Sequence, residues 1–318
     1  MTSTATSTST TTKHSPATAP VNSIPPINTL LRNHRNAQNA LDFVQKLFVI
    51  GCGKSGTTWL RNILHGHPEI AIFGEGSFAW RLIPLFTQAA NLFNQHQSKG
   101  QPPFTQLDEP DLRLIARLII DNAFWKYLQH SEKPVEQIKI VGDKTPQHTI
   151  AIPLLNTLYP ESKFIHIYRD PRDVATSAWF HDGVNDPHRN FEQFIKHFMN
   201  EVWPLQVGTA RSVGPLLGPE RFLELRYEDL LDNERDEIKR LLTFLNVKSS
   251  DDSITRCSDA GSFKKMTGGR ERGDEDNSKF YRKGVAGDWR NHLPEDLVRT
   301  LCKPIAELMT ACGYQPTT

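Results

Sequence analysis

The stretch Leu47-Phe48-Val49-Ile50-Gly51-Cys52-Gly53-Lys54-Ser55-Gly56-Thr57-Thr58-Trp59 decides the fold. An apolar run of strand character enters a glycine-rich turn that carries a lysine and hydroxyls, and a helix leaves it. Consecutive backbone N–H groups and a helix N-terminus then face an anion, so the pattern reads as a phosphate cradle. It departs from the ATP-binding loop G-x-x-x-x-G-K-[ST] at one informative place. Gly51 and Gly56 stand at the two glycine positions, but Thr57 stands where the lysine belongs and the lysine sits inside the loop, at Lys54. The loop suits phosphates and does not suit Mg-ATP in its usual geometry. A plain tight turn with a solvated lysine is the competing reading, and the strand–loop–helix context speaks against it.

Outward from the loop, apolar runs of strand length alternate with helical patterns. Strands are expected at 46–50, 70–73, 138–141, 163–168 and 222–225, and helices at 57–65, 78–93 (with Pro84 as a kink), 111–128, 149–158, 191–207, 234–245 and 294–311. A further helix follows 169–173 as far as residue 180. Residues 27–42 read as a short helix or loop, 94–107 as a polar connection, and 258–281 as a charged loop. Alternating strands and helices imply an α/β single domain. Its central, mostly parallel β-sheet is flanked by helices in the manner of P-loop NTPases. Functional residues should gather beyond the carboxyl ends of the strands. Residues 1–28 read as a disordered Ser/Thr-rich tail, and 29–318 as one catalytic domain.

At 318 residues, with 38% hydrophobic and 9% aromatic residues, the chain can build a sizeable core. A formal net charge of +1 excludes a nucleic-acid binder held by bulk electrostatics. The four cysteines, Cys52, Cys257, Cys302 and Cys312, form no C-x-x-C pair and no metal-ligand spacing. They read as reduced thiols in a cytoplasmic protein. No apolar run approaches the length of a membrane span. The first 20 residues lack the apolar core of a secretory signal. Hydroxyl-rich and acid-free, they share features with an organelle transit peptide but contain no arginine, and a disordered tail accounts for them better.

Three stretches that follow strands are rich in anion-binding groups. The first is Lys54–Thr58. The second is Arg169 with Ser177, eight positions on, where a residue leaving a strand and one two turns into the next helix can meet one phosphate. Alone, Arg169-Asp170 could be a surface ion pair. The third is Arg282-Lys283-Gly284, two cations before a glycine, which by themselves could be a charged loop.

Together these stretches resemble the sulfotransferase family that uses 3′-phosphoadenosine 5′-phosphosulfate (PAPS) and releases 3′-phosphoadenosine 5′-phosphate (PAP). Lys54-Ser55-Gly56-Thr57-Thr58-Trp59 matches the family's K-S-G-T-T-W loop, which the resemblance assigns to the 5′-phosphosulfate. Arg169 and Ser177 match its R…S pair for the 3′-phosphate. Arg282-Lys283-Gly284-Val285-Ala286-Gly287-Asp288-Trp289 matches its late R-K-G-x-x-G-D-W segment. Ser262-Phe263, with Met266 behind, resembles the S-F segment whose ring stacks near the adenine, and Tyr227 resembles the tyrosine that reaches it. The likeness spans residues 46–312. It implies sulfuryl transfer without a metal, with Lys54 neutralising the charge that develops on the leaving phosphate.

The acceptor's proton needs a general base within hydrogen-bond reach. Small-molecule cytosolic relatives carry a histidine after the third strand in a K-T-H-like segment. This chain reads Asp143-Lys144-Thr145-Pro146-Gln147-His148, with proline at the histidine's place. That run looks more like the E-K-T-P segment of glycan-type and bacterial sulfotransferases, which implies Glu75 as base and Lys144 as electrostatic partner. His148 is the alternative base. The bland readings are a solvated turn carboxylate for Glu75 and a helix-start histidine for His148. His65, His67 and His181 lie near these loops without metal-ligand spacing.

The acceptor stays open between a small molecule, a lipid and a glycan. Residues 75–106, 180–190 and a flexible 270–281 should shape its pocket. Phe78, Trp80, Phe86, Phe93, Trp179, Phe180 and Phe191 line it or belong to the core. A homodimer is implied by dimeric relatives. A P-loop small-molecule kinase and a catalytically idle nucleotide-binding protein are the alternatives. Thr57 and the late Arg-Lys-Gly segment oppose the kinase, and the intact Lys54 opposes the idle protein.

Overall fold

The computed structural model describes residues 25–97, 102, 106–184 and 186–316. The Ser/Thr-rich residues 1–20 lie outside the described residues, and the connection 94–107 is described only in part. Helix Ile27–Asp42 begins just ahead of the boundary expected after residue 28.

Five strands form one sheet: β1 (Gln45–Gly51), β2 (Ile70–Phe73), β3 (Ile140–Lys144), β4 (Lys163–Tyr168) and β5 (Phe222–Arg226). Their order is β2-β3-β1-β4-β5, and every pairing is parallel. β1 is central and buried on both faces, which is why it reads as an unbroken apolar run. Leu47 and Val49 face one layer, packing with Trp59, Leu60 and Ile63 of helix Thr57–His65. Phe48 and Ile50 face the other, with Phe124 and Leu155. A third cluster, around Trp203, Trp289 and Met309, ties the C-terminal helices to helix Pro171–Ala178. The chain leaves β1 for β2 and β3 on one side, then crosses to β4 and β5 on the other. That reversal opens a crevice beyond the carboxyl ends of β1 and β4.

Four local expectations are corrected. β3, Ile140–Lys144, starts two residues later and ends three residues later than 138–141. Gly142, Asp143 and Lys144 pair with Leu47, Phe48 and Val49, so strand continues where the polar sequence suggested a turn. The region expected as loop from 258 is helical over Asp251–Gly261 and Phe263–Thr267, with the hydroxyls of Ser250 and Ser262 capping the two helices. The helix expected over 78–93 is a π-turn, Phe78–Leu82, followed directly by helix Ile83–Gln97, with Pro84 at the second position after the change. The rod expected over 191–207 is two helices, Phe191–His197 and Trp203–Val213, joined by a π-turn at Phe198–Val202.

Candidate active site

The loop after β1 turns sharply. Lys54 has φ 69° and Gly56 φ 95°. A Cβ on Gly56 would lie 2.6 Å from the Tyr227 ring, so glycine is required twice over, by sterics and by backbone conformation. Helix Thr57–His65 starts immediately behind, leaving its first N–H groups to face the cleft. Lys54 forms no ion pair among the described residues, and its ammonium lies 4.4 Å from the Phe280 ring centroid. Burial pushes its pKa down to about 8, against the pull of Asp182. Ser55 Oγ is buried and has no hydrogen-bond partner among the described residues. A desolvated cation and an orphan hydroxyl beside a helix N-terminus are what an absent anion would satisfy.

Arg169 leaves the end of β4. Its Nη2 donates to the Val285 carbonyl at 2.7 Å, its guanidinium carbon stacks 4.4 Å from the Tyr227 centroid, and Asp173 lies 3.5 Å away. Ser177 lies in the last turn of helix Pro171–Ala178, two turns on, and lines the same cleft. Asp173, almost fully buried, accepts the Gly287 N–H at 2.7 Å and the Trp289 N–H at 3.0 Å. One carboxylate thereby clamps the late segment against the strand-β4 side of the site. Within that segment Asp288 gathers Arg282 and Lys283, the latter at 2.7 Å, and these cations hold its carboxyl well below the usual range despite its burial. Glu275, Asp288 and His292 could share a cation geometrically, but Arg282 and Lys283 already occupy those carboxylates.

Glu75 and Lys144 meet at 2.5 Å, the lysine nearly buried and the carboxylate half exposed at the cleft. Asp143 accepts the Gly76 N–H at 2.7 Å and so shapes the turn that presents Glu75. His148 is fully buried and does not line the cleft. Its Nε2 accepts the Ala79 N–H at 3.2 Å, and its Nδ1 lies 3.1 Å from Asp143 Oδ2 in poor alignment. The fold thus places His148 behind the cleft wall and Glu75 at the cleft.

A cleft of about 390 Å³ collects Lys54, Gly56, Thr57, Thr58, Trp59, Glu75, Arg169, Ser177, Tyr227, Phe263, Met266, Arg282, Lys283 and Gly284. Ser55, Lys144 and Ser262 stand behind this lining. Trp59 donates through Nε1 to the Gly261 carbonyl at 2.9 Å and meets Tyr227 edge-on. None of the aromatic residues expected to shape an acceptor pocket lines it. Phe78 is core, Trp179 packs on Phe191 and Phe194, and Phe180 carries the Arg282 guanidinium at 4.6 Å.

His181, Asp182, Arg272, Phe280 and Tyr281 line the cleft from the segments 180–190 and 270–281 expected to shape the pocket, whereas Pro146, Gln147, Phe198 and Gln206 line it without having been given a role from sequence. His181 and Asp182 belong to a π-turn, Trp179–Gly183, and Phe198 opens another. Such turns mark functional regions and have no sequence signature of their own. Segment 270–281, expected to be flexible, is stitched to the residues that follow it: the Gly273 N–H donates to Lys283 O at 2.9 Å and the Asp276 N–H to Arg282 O at 3.1 Å.

Comparison with known proteins gives the same picture. A 3-beta-hydroxysteroid sulfotransferase of Cavia porcellus is 26% identical over 239 residues, 69% of this chain and 77% of its own length. Sulfotransferase 1E1 of Mus musculus is 27% identical over 208 residues, 58% of this chain and 70% of its own. In three dimensions a mouse sulfotransferase crystallised with PAP superimposes with a TM-score of 0.53 at 18% identity, covering 86% of this chain and 89% of the other, which is a likeness of fold. The model of the sulfotransferase family matches residues 46–252, more than half of the sequence. This chain belongs to the sulfotransferase family.

Proposed function

We infer that the protein moves the sulfuryl group of PAPS to an acceptor hydroxyl or amine and releases PAP. The observation that carries this reading is the convergence of three cationic segments on one cleft, around a lysine that forms no ion pair among the described residues. The residues fit the nucleotide: Lys54 to Thr58 for the 5′-phosphosulfate, Arg169, Ser177, Arg282, Lys283 and Gly284 for the 3′-phosphate, and Trp59, Tyr227, Phe263 and Met266, with Ser262 capping behind, for the base. PAPS supplies an activated sulfuryl group on a phosphate leaving group. Glu75 takes the proton of the acceptor O–H as its oxygen bonds to sulfur. Lys54, with the N–H groups that begin helix Thr57–His65, neutralises the charge left on the phosphate when the bridging S–O bond breaks. Lys144 holds the Glu75 carboxylate in place. Nothing in these roles calls for a metal, and Thr57 in place of the ATP-type lysine disfavours a kinase.

The acceptor is proposed to be a small molecule, as the guinea-pig relative's name states for that enzyme. Lipid and glycan acceptors and a homodimer belong to the same proposal in weaker form. A cytoplasmic location rests on the four free cysteines; among the described residues no helix is long and apolar enough to cross a membrane. The deciding experiment measures PAP released from PAPS across steroids, phenols, aliphatic alcohols, amines and sugars. Acceptor-dependent release in one class supports the reading. No release in any class, together with no PAP binding, rejects it.

A further inference from the structure

Trp59 and Phe263 present their rings to one end of the cleft, and both are fixed in place. Trp59 is anchored through Nε1 to Gly261. Phe263 packs closely against Gly284, where a Cβ would stand 2.6 Å from the ring. A third planar group is already there. The guanidinium carbon of Arg272 lies 4.6 Å from the Trp59 centroid and 5.8 Å from the Phe263 centroid. Fixed aromatic faces are how proteins stack a nucleobase, and a planar, weakly hydrated guanidinium competes for the same surface. We propose that Arg272 is the resident occupant of the base subsite, a plug that the nucleotide must displace. The proposal rests on the PAPS reading and adds a cost to it: apparent affinity is reduced by the fraction of time the slot is filled.

The plug is built to leave. Besides its two stacks, Arg272 holds on by one hydrogen bond, from Nη1 to the Gly284 carbonyl at 3.0 Å. The strap that carries it is secured independently. Gly273 and Asp276 bond backbone to backbone across it, and Arg270 Nη1 donates to the carbonyls of Asp274 and Arg282 at 3.0 and 2.8 Å. The Arg272 side chain can therefore swing away while strap and phosphate-side cations stay in place. That separates Arg272 from Arg282 and Lys283, which sit on the same segment and whose removal would weaken binding.

The test is a calorimetric titration of the full chain with PAP, wild type against Arg272→Ala. Losing two ring contacts and one hydrogen bond that compete with the ligand should tighten PAP binding about three- to tenfold. Unchanged or weaker binding overturns the proposal, since a guanidinium that helps hold the nucleotide would move affinity that way. Should the alanine variant not fold, the wild-type chain decides by NMR, with the Arg272 side-chain protons assigned using Arg272→Lys. Ring currents place those protons upfield in the free protein, and saturating PAP must move them to unstacked positions; retention of the upfield shift sinks the idea. A wild-type chain that does not bind PAP rejects the donor reading and this proposal with it. Good wild-type binding without a gain in the variant rejects the plug alone.

Discussion

Lys54 is the residue at which charge, burial and chemistry meet, and its titration is a direct handle on the site. In the free protein burial lowers its pKa to about 8. A bound phosphate favours the charged form, so the pKa rises on binding. Below about pH 8 Lys54 is protonated in both states and PAP affinity should be flat. Above it the bound form takes up a proton that the free form lacks, and affinity should fall by up to about tenfold per pH unit. Calorimetry in two buffers of different ionisation enthalpy would register that proton uptake. Lys54→Arg should abolish the slope, because guanidinium does not titrate in this range, and a slope that persists in the variant removes Lys54 from the anion site. Glu75 is probed differently. Glu75→Gln keeps an oxygen facing Lys144 but cannot accept the proton, so turnover should drop about 10²–10⁴-fold with PAP affinity within twofold of wild type. Comparable loss of PAP affinity would make Glu75 a structural partner of Lys144 instead of a base.

At the scale of elements, helix Pro171–Ala178 couples the two halves of the nucleotide site. Asp173 holds the Gly287 and Trp289 amides on one side and lies 3.5 Å from Arg169 on the other. Asp173→Ala should cost about 3–5 kcal/mol, because it leaves a buried cation and two buried N–H groups short of their partner. PAP binding should be lost with it, and chemical denaturation with a parallel titration would show both. A destabilised variant that still binds PAP normally would mean that segment 282–289 is dispensable. The strands and the phosphate loop were legible in the sequence because their signals are local: an apolar run, glycines at fixed spacing, a lysine between them. The helix Asp251–Gly261 was not. Its buried positions are Ser253, Ile254, Cys257 and Gly261, a single large apolar residue among small ones, too weak a stripe to read as a helix, yet closely packed, with a Cβ on Gly261 standing 2.2 Å from Ile63. Motif spacing likewise pointed to Arg169, Ser177 and Arg282. Arg272, Phe280 and Asp182 reach the cleft through a strap and a π-turn whose geometry exists only after folding. The aromatic residues left open between acceptor pocket and core were undecided for a related reason, since apolar character alone cannot tell a core residue from a cleft wall.

Over the whole molecule, the site draws on residues from Gly53 to Val285, so a ligand there should stabilise the entire domain. PAP at 100 times its dissociation constant should add about 2.7 kcal/mol, read as a rise in melting temperature of roughly 5–10 °C, while ADP should do much less. Equal shifts with ADP would return the kinase to consideration. Turnover should survive EDTA, and collapse with recovery on adding Mg²⁺ would contradict a metal-free transfer. The clamp at Asp173 also bears on biosynthesis. The last strand is complete at Arg226, but Trp289 must be made before Asp173 has both of its partners. At ribosomal speeds about 60 further residues take roughly 3–12 s. Chains interrupted in that interval carry a finished sheet but lack the Arg282-Lys283-Gly284 side of the anion pocket, so a column of immobilised PAP would sort complete translation products from near-complete ones.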